Sequence, residues 1–147
     1  MSTDTDPVSM HDLDVLVGTW RMTSSLSADP APVAETRFEW LGDEQFLVQR
    51  WTVDFPDAPD GIAVIGLDPD RAVLLQHYFD SRGVARVYEM TFTHGVWRLV
   101  RLAPGFSQRF TGTLSEDDST ITGSWEFSPD GSTWEHDFDL TYTRSAQ

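Results

Sequence analysis

From Gly18 onward the chain alternates apolar and polar residues in short runs, with turn-forming residues between them. Alternation with a period of two sends successive side chains to opposite faces of a strand. Ten such runs predict ten strands: "GTWRMTSSL", "AETRFEW", "QFLVQRWTV", "IAVIGL", "AVLLQHYF", "VARVYEMTF", "VWRLVRL", "FSQRFTGTL", "TITGSWEF" and "STWEHDFDLTYTR". The links "LGDE", "DPDR", "DSRG", "HG", "SEDDS" and "SPDG" are hairpin-sized and rich in turn formers. Two longer links, "ADPAPV" and "FPDAPDG", are Pro-rich and cannot enter a sheet interior. Ahead of Gly18, Ser9 opens "SMHD", the pattern of a capping box in which Ser9 accepts from the amide of Asp12. Met10, Leu13 and Leu16/Val17 follow at helical spacing, which predicts one helix of two turns or fewer. Residues 1–8 are expected to be a disordered tail, and 9–147 a single domain.

Strands joined by tight links pair with their sequence neighbours, giving an antiparallel meander. Ten meandering strands in one small domain leave open edges unless the sheet closes on itself. A ten-stranded barrel is also wider than an eight-stranded one, whose interior side chains just fill it. The expected fold is therefore all-β: a closed or nearly closed antiparallel barrel with a lumen and a short N-terminal helix. A two-sheet sandwich would need long crossovers that these links do not provide.

Composition narrows the function classes. The chain has 147 residues, with 24 acidic residues against 10 basic ones, all arginine, for a net charge of −14. Such a chain repels phosphate backbones and anionic membranes, and no basic stripe is present, so nucleic acid and membrane partners are not expected. With no cysteine, disulfides, thiolate nucleophiles and Cys-based zinc sites are excluded. No run approaches the ~18 apolar residues of a spanning helix. The acidic start "MSTDTDPVSMHD" lacks a signal's basic and apolar regions, so a cytoplasmic location is expected.

"LVGTW" places Gly18 and Trp20 at the start of the first strand, and Arg144 ends the last. This Gly-x-Trp with a final-strand arginine resembles the calycin signature of lipocalins, fatty-acid-binding proteins and nitrobindins. The resemblance implies that Arg144 lies over Trp20 and closes one end of the barrel; guanidinium over indole is a favourable cation–π pair. Over roughly residues 10–145 the chain also resembles uncharacterised bacterial lipocalin-like proteins of the DUF1579 type. The matching pieces are "FLVQRW", "VIGLDPD", "QHYFDSRGVARVYEM", "SQRFTGTLSEDDSTITGSWE" and "SPDGSTWEHDFDLTYTR". That family brings a fold and no established activity. Nitrobindins hold haem through a histidine near the C-terminus, in a motif of approximately H-L-x-A-x-L-x-R. The matching stretch here, "HDFDLTYTR", has one residue more between His136 and Arg144.

Parity then nominates site residues. In the last strand His136 shares a face with Phe138, Leu140, Tyr142 and Arg144, which puts it in the lumen as a ligand partner, an acid/base or a haem ligand. His77 shares parity with Val73, Leu75 and Phe79 and is expected to point inward too, or toward the helix end. Arg50, Arg86, Arg98, Arg101 and Arg109 all fall within strands. Most are expected to pair with outer-face acids such as Glu35, Glu39, Glu89 and Glu126. One or two turned inward beside Gln108 and Tyr88 can hold a carboxylate with arginine's two-pronged fork. Trp40, Trp51, Phe110 and Trp125 are expected to line an apolar cavity. The ligand-binding candidates are thus His136, His77, Arg50, Tyr88, Gln108 and Trp51, and the structural pair is Trp20 and Arg144.

No G-x-S-x-G elbow, paired-histidine zinc motif or phosphate-cradling glycine loop occurs, so no metal site is expected. The leading expectation is a carrier or sensor binding a small, mostly apolar ligand, anionic if an arginine turns inward. Alternatives are an isomerase or cyclase with a lumen histidine as acid/base, a haem protein of the nitrobindin kind, and a ligand-free interaction domain that can form a homodimer. No cofactor other than haem is implied.

Overall fold

A computed structural model describes residues 9–26, 34–54 and 59–145. The expected tail 1–8 and most of the two Pro-rich links lie outside these residues. The ten predicted strands all form: β1 (Gly18–Ser24), β2 (Ala34–Leu41), β3 (Phe46–Val53), β4 (Gly61–Asp68), β5 (Val73–Asp80), β6 (Ala85–Thr93), β7 (Val96–Arg101), β8 (Ser107–Leu114), β9 (Thr120–Ser128) and β10 (Glu135–Arg144). Every strand pairs antiparallel with its sequence neighbours, and β1 pairs with β10, so the meander closes into a ten-stranded barrel. Closure leaves no edge for another chain to extend.

The N-terminal helix differs in kind from the expected one. Met10–Leu16 form a 3₁₀ helix, and the Ser9 side chain accepts from His11 N–H, not from the amide of Asp12. The segment plugs one end of the barrel. Leu13 and Leu16 are fully buried in the core there. Burying two leucines contributes roughly 1.5–3 kcal/mol each. Trp20 Nε1 donates to the Leu16 carbonyl at 2.9 Å, and Trp40 Nε1 donates to Asp14 Oδ1 at 3.0 Å.

The same end is sealed by Arg144. Its guanidinium carbon lies 4.0 Å from the Trp20 ring centroid, and the two residues are partners in the β1–β10 register. Arg144 Nη1 and Nη2 donate to the carbonyls of Val17 and Val15, and Nε donates to that of Asp118. These carbonyls belong to chain ends and turns that have no ladder partner of their own. Gly18, at φ 131°, lets the chain turn from helix into β1 while leaving room for the arginine; a Cβ there would sit 3.1 Å from Arg144 Nη1.

The first strands show which face is inside. Trp20 and Met22 on β1, Thr36 and Phe38 on β2, and Leu47 and Gln49 on β3 are all buried. Inward rings interlock edge to face, as with Trp97 against Phe38 at 5.9 Å and against Phe110 at 5.0 Å. A polar step crosses this core, where Gln49 Nε2 donates to Thr36 Oγ1 and that hydroxyl donates to the Arg50 carbonyl, both at 3.1 Å.

Candidate functional site

Away from the plug the side chains stop short of filling the barrel. A cavity of about 480 Å³ occupies the other half. Its floor is built from Met22, Gln49, Trp97, Leu99, Phe110 and Tyr142. Its walls include Trp51, Tyr78, Tyr88, Trp125, Phe138 and Leu140, and its rim includes Ser24, Val53, Pro59, Arg82, Arg86 and Gln108. A volume in the range of 300–1,000 Å³, apolar walls and a few convergent polar groups are the usual attributes of a small-molecule site.

Trp51, Tyr88 and Gln108 line this cavity. Trp51 is held by its Nε1 donating to the Pro59 carbonyl at 3.2 Å and by the Tyr78 ring 5.5 Å away. Of the expected aromatic wall, Trp51, Phe110 and Trp125 are present, while Trp40 sits at the plugged end bonded to Asp14.

His136, His77 and Arg50 are elsewhere, and each corrects an expectation. In β10 the register shifts between His136 and Phe138. His136 pairs with Glu126 and Phe138 with the neighbouring Trp125, so Asp137 is an extra residue in a bulge. The bulge reverses parity upstream of Phe138. It turns His136 to the outer wall, where its Nε2 lies 2.8 Å from Asp139 Oδ1. His77 is exposed on the outside of β5, because the inward set there is Leu74, Gln76 and Tyr78. Arg50 is exposed on the outside of β3, 3.6 Å from Glu39. Of the five strand arginines named above, only Arg50 and Arg109 have an acid partner among the described residues, Arg109 with Glu126, so the expectation that most would pair is not met. Arg37 pairs with Glu39 and Arg71 with Glu89.

These positions bear on the alternatives. Among the described residues none that lines the cavity is a histidine or a carboxylate. Burial pushes the phenols of Tyr78, Tyr88 and Tyr142 up, so they serve as protonated hydrogen-bonding groups. A lumen histidine acting as acid/base, or ligating a haem iron inside the barrel, is therefore corrected: the donor set does not fit either role. Among the described residues no three His, Asp or Glu side chains converge in a way that could hold a metal ion. No helix among them is long and apolar enough to cross a membrane.

The inner polar residues fall in two groups. At the rim, Gln108 Oε1 accepts from Arg86 Nη1 at 2.8 Å and from the Tyr88 hydroxyl at 2.9 Å. Beside them Asp80, its side chain fully buried, accepts from the Tyr78 hydroxyl at 2.6 Å and Arg82 Nη2 at 2.7 Å. Deeper in, Gln76 Oε1 and Trp97 Nε1 are buried without a hydrogen-bond partner among the described residues. Gln49, Gln76, Tyr78, Arg82 and Trp97 were not singled out from the sequence. Tyr78 and Gln76 were legible in principle, because they share parity with Leu74.

No protein-family model matches the chain, and no curated protein matches its sequence. Fourteen chains of solved structures match its fold. One is the crystal structure of Rv2717c from M. tuberculosis, with a TM-score of 0.55 and 14% identity over 96% of this chain and 100% of that one. A likeness at that identity speaks for the fold alone. The class defined by fold and site is a closed ten-stranded antiparallel barrel with an internal aromatic cavity.

Proposed function

We propose that this chain is a calycin-type barrel that binds a small, mostly apolar molecule in its lumen. The observation that carries the reading is the cavity of about 480 Å³ lined by Trp51, Tyr88, Trp97, Phe110, Trp125 and Phe138. A core free to close would have filled such a volume, since an unfilled apolar cavity costs stability in proportion to its size. The calycin and DUF1579 resemblance belongs to the same proposal. The stacking of Arg144 on Trp20 and the plugging helix support its structural side.

The neutral dye N-phenylnaphthylamine, which fluoresces in apolar surroundings, tests the reading with the full chain. Saturable binding at a one-to-one ratio, weakened by Trp125→Ala, is the expected result. Native mass spectrometry of protein from its own host should also show a bound mass that unfolding releases. A dye that fails to bind, together with protein that carries no such mass, would sink the reading.

A further inference from the structure

Among the described residues the cavity mouth carries a positive charge without a carboxylate of its own. Acids outnumber arginines 24 to 10, so a counter-ion is easily found on this surface. Five of the ten arginines, Arg37, Arg50, Arg71, Arg82 and Arg109, have a carboxylate within 4.0 Å. Of the two that line the cavity, Arg82 is one of these. Among the described residues Arg86 is not: its partners are the neutral Gln108 side chain and the Phe106 ring, 5.6 Å from the guanidinium carbon. Asp80 is the nearby carboxylate, and it is engaged by Arg82 through side chain and backbone and by the Tyr78 hydroxyl. Among the described residues the rim thus holds Arg82 and Arg86 beside a carboxylate, Asp80, that is already satisfied.

The neighbours of Arg86 hold it for a task. Gln108 Oε1 receives two donors, Arg86 and the Tyr88 hydroxyl, which fixes the amide with its N–H₂ end as the remaining donor. Arg86 spends one of its five N–H groups on that bond, leaving the rest of the fork for a planar acceptor. In parity, Arg86 precedes Tyr88 and Met90 on the inward face of β6, so below the guanidinium the walls turn apolar.

We propose that Arg86, positioned by Gln108 and Tyr88, anchors the carboxylate head of an amphipathic ligand that enters the lumen apolar end first. This rests on the reading of the lumen as a small-molecule site and names the class of molecule it takes. At a net charge of −14 the chain as a whole repels anions, so the arginine at the mouth of an apolar cavity is where an amphipathic carboxylate finds attraction. A neutral molecule of the same length gains the apolar contacts and lacks the charge-assisted hydrogen bonds.

Displacement of N-phenylnaphthylamine by decanoate and by decanol separates the two contributions. In the wild-type chain decanoate is expected to displace the dye at a concentration about tenfold or more below that of decanol, equivalent to ~1.4 kcal/mol. Added salt should narrow the gap. Arg86→Gln should abolish the preference while leaving decanol within about threefold, and Arg50→Gln on the outer wall should keep it. Gln108→Leu should weaken decanoate by a smaller factor. Equal displacement by the two compounds in the wild type overturns the proposal without needing any variant, and leaves the lumen reading standing. A preference that survives in folded Arg86→Gln overturns it as well. A dye that binds nowhere removes the lumen reading and this proposal together.

Discussion

Arg144 lies 4.0 Å over the indole of Trp20 while its three donor nitrogens satisfy the carbonyls of Val15, Val17 and Asp118. One side chain therefore ties the helix, the start of β1, the β8–β9 turn and the end of β10. Replacing it with methionine keeps much of the stem's packing and removes the charge and all three donors. The cation–π contact is worth ~1–2 kcal/mol when desolvated, and each orphaned carbonyl costs about 1. The Asp118 carbonyl is exposed and returns to water, so with the two part-buried carbonyls Arg144→Met is expected to lower stability by roughly 3–4 kcal/mol in urea unfolding. Arg144→Lys should recover part of that, since an ammonium keeps a charge over the ring. A loss below ~0.5 kcal/mol would remove the structural role.

Gln76 presents the opposite case. It is 5% exposed, points inward from β5, and leaves Oε1 without a partner among the described residues. A buried unpaired acceptor costs ~1–3 kcal/mol relative to a satisfied or absent one. Methionine has similar length and no acceptor to desolvate. Gln76→Met is expected to raise the urea midpoint by the equivalent of about 1 kcal/mol with an unchanged slope. A fall in stability would mean that Oε1 has a water or ligand partner in solution.

The strands were legible because turn chemistry is local. "DPDR", "DSRG" and "SPDG" bound their hairpins whatever the rest of the chain does. Closure followed from counting strands against short links. Facing was harder, for two physical reasons. In a barrel that keeps a cavity, the inner face is partly polar and the outer face partly apolar. β5 turns Gln76 and Tyr78 inward and leaves Phe79 44% exposed, which inverts the usual guide and misplaced His77. In β10 a single extra residue at Asp137 moved His136 outside, and parity counting cannot detect a bulge. Tyr88 and Gln108 were placed correctly because no bulge interrupts β6 or β8 between them and the apolar residues of their own face.

Asp80 gives a pH dependence with a definite sign. Hydrogen bonds from Arg82, then from Tyr78, hold its carboxyl well below the usual range, against the opposing effect of burial. In the unfolded chain it protonates near its ordinary value of 3.8. The folded state takes up that proton only at lower pH. Its contribution is therefore complete above about pH 4 and is lost as pH falls from there through the folded value. Asp80→Asn should cost ~1–3 kcal/mol at neutral pH. The gap between variant and wild type should shrink as the pH of urea unfolding is lowered to about 3. A gap constant over that range would show that the ionised carboxylate is not what stabilises this corner.

The cavity itself depends on two glycines. Gly112 and Gly123 are register partners on β8 and β9, and the Phe110 ring lies against the bare backbone they leave. A Cβ on Gly123 would come 2.6 Å from two Phe110 ring carbons and 3.2 Å from the Leu140 carbonyl, closer than carbon packing allows. Phe110 would have to swing away from the wall, and the space beside it is the lumen. Gly123→Ala is expected to lower stability by ~1–3 kcal/mol through overpacking. It should also weaken N-phenylnaphthylamine binding about threefold or more as the ring takes up ligand space. The alanine is sterically opposed without any demand on φ, so backbone strain does not confuse the result. A variant that loses stability and binds the dye with wild-type affinity would show that the Phe110 wall is not part of the binding volume.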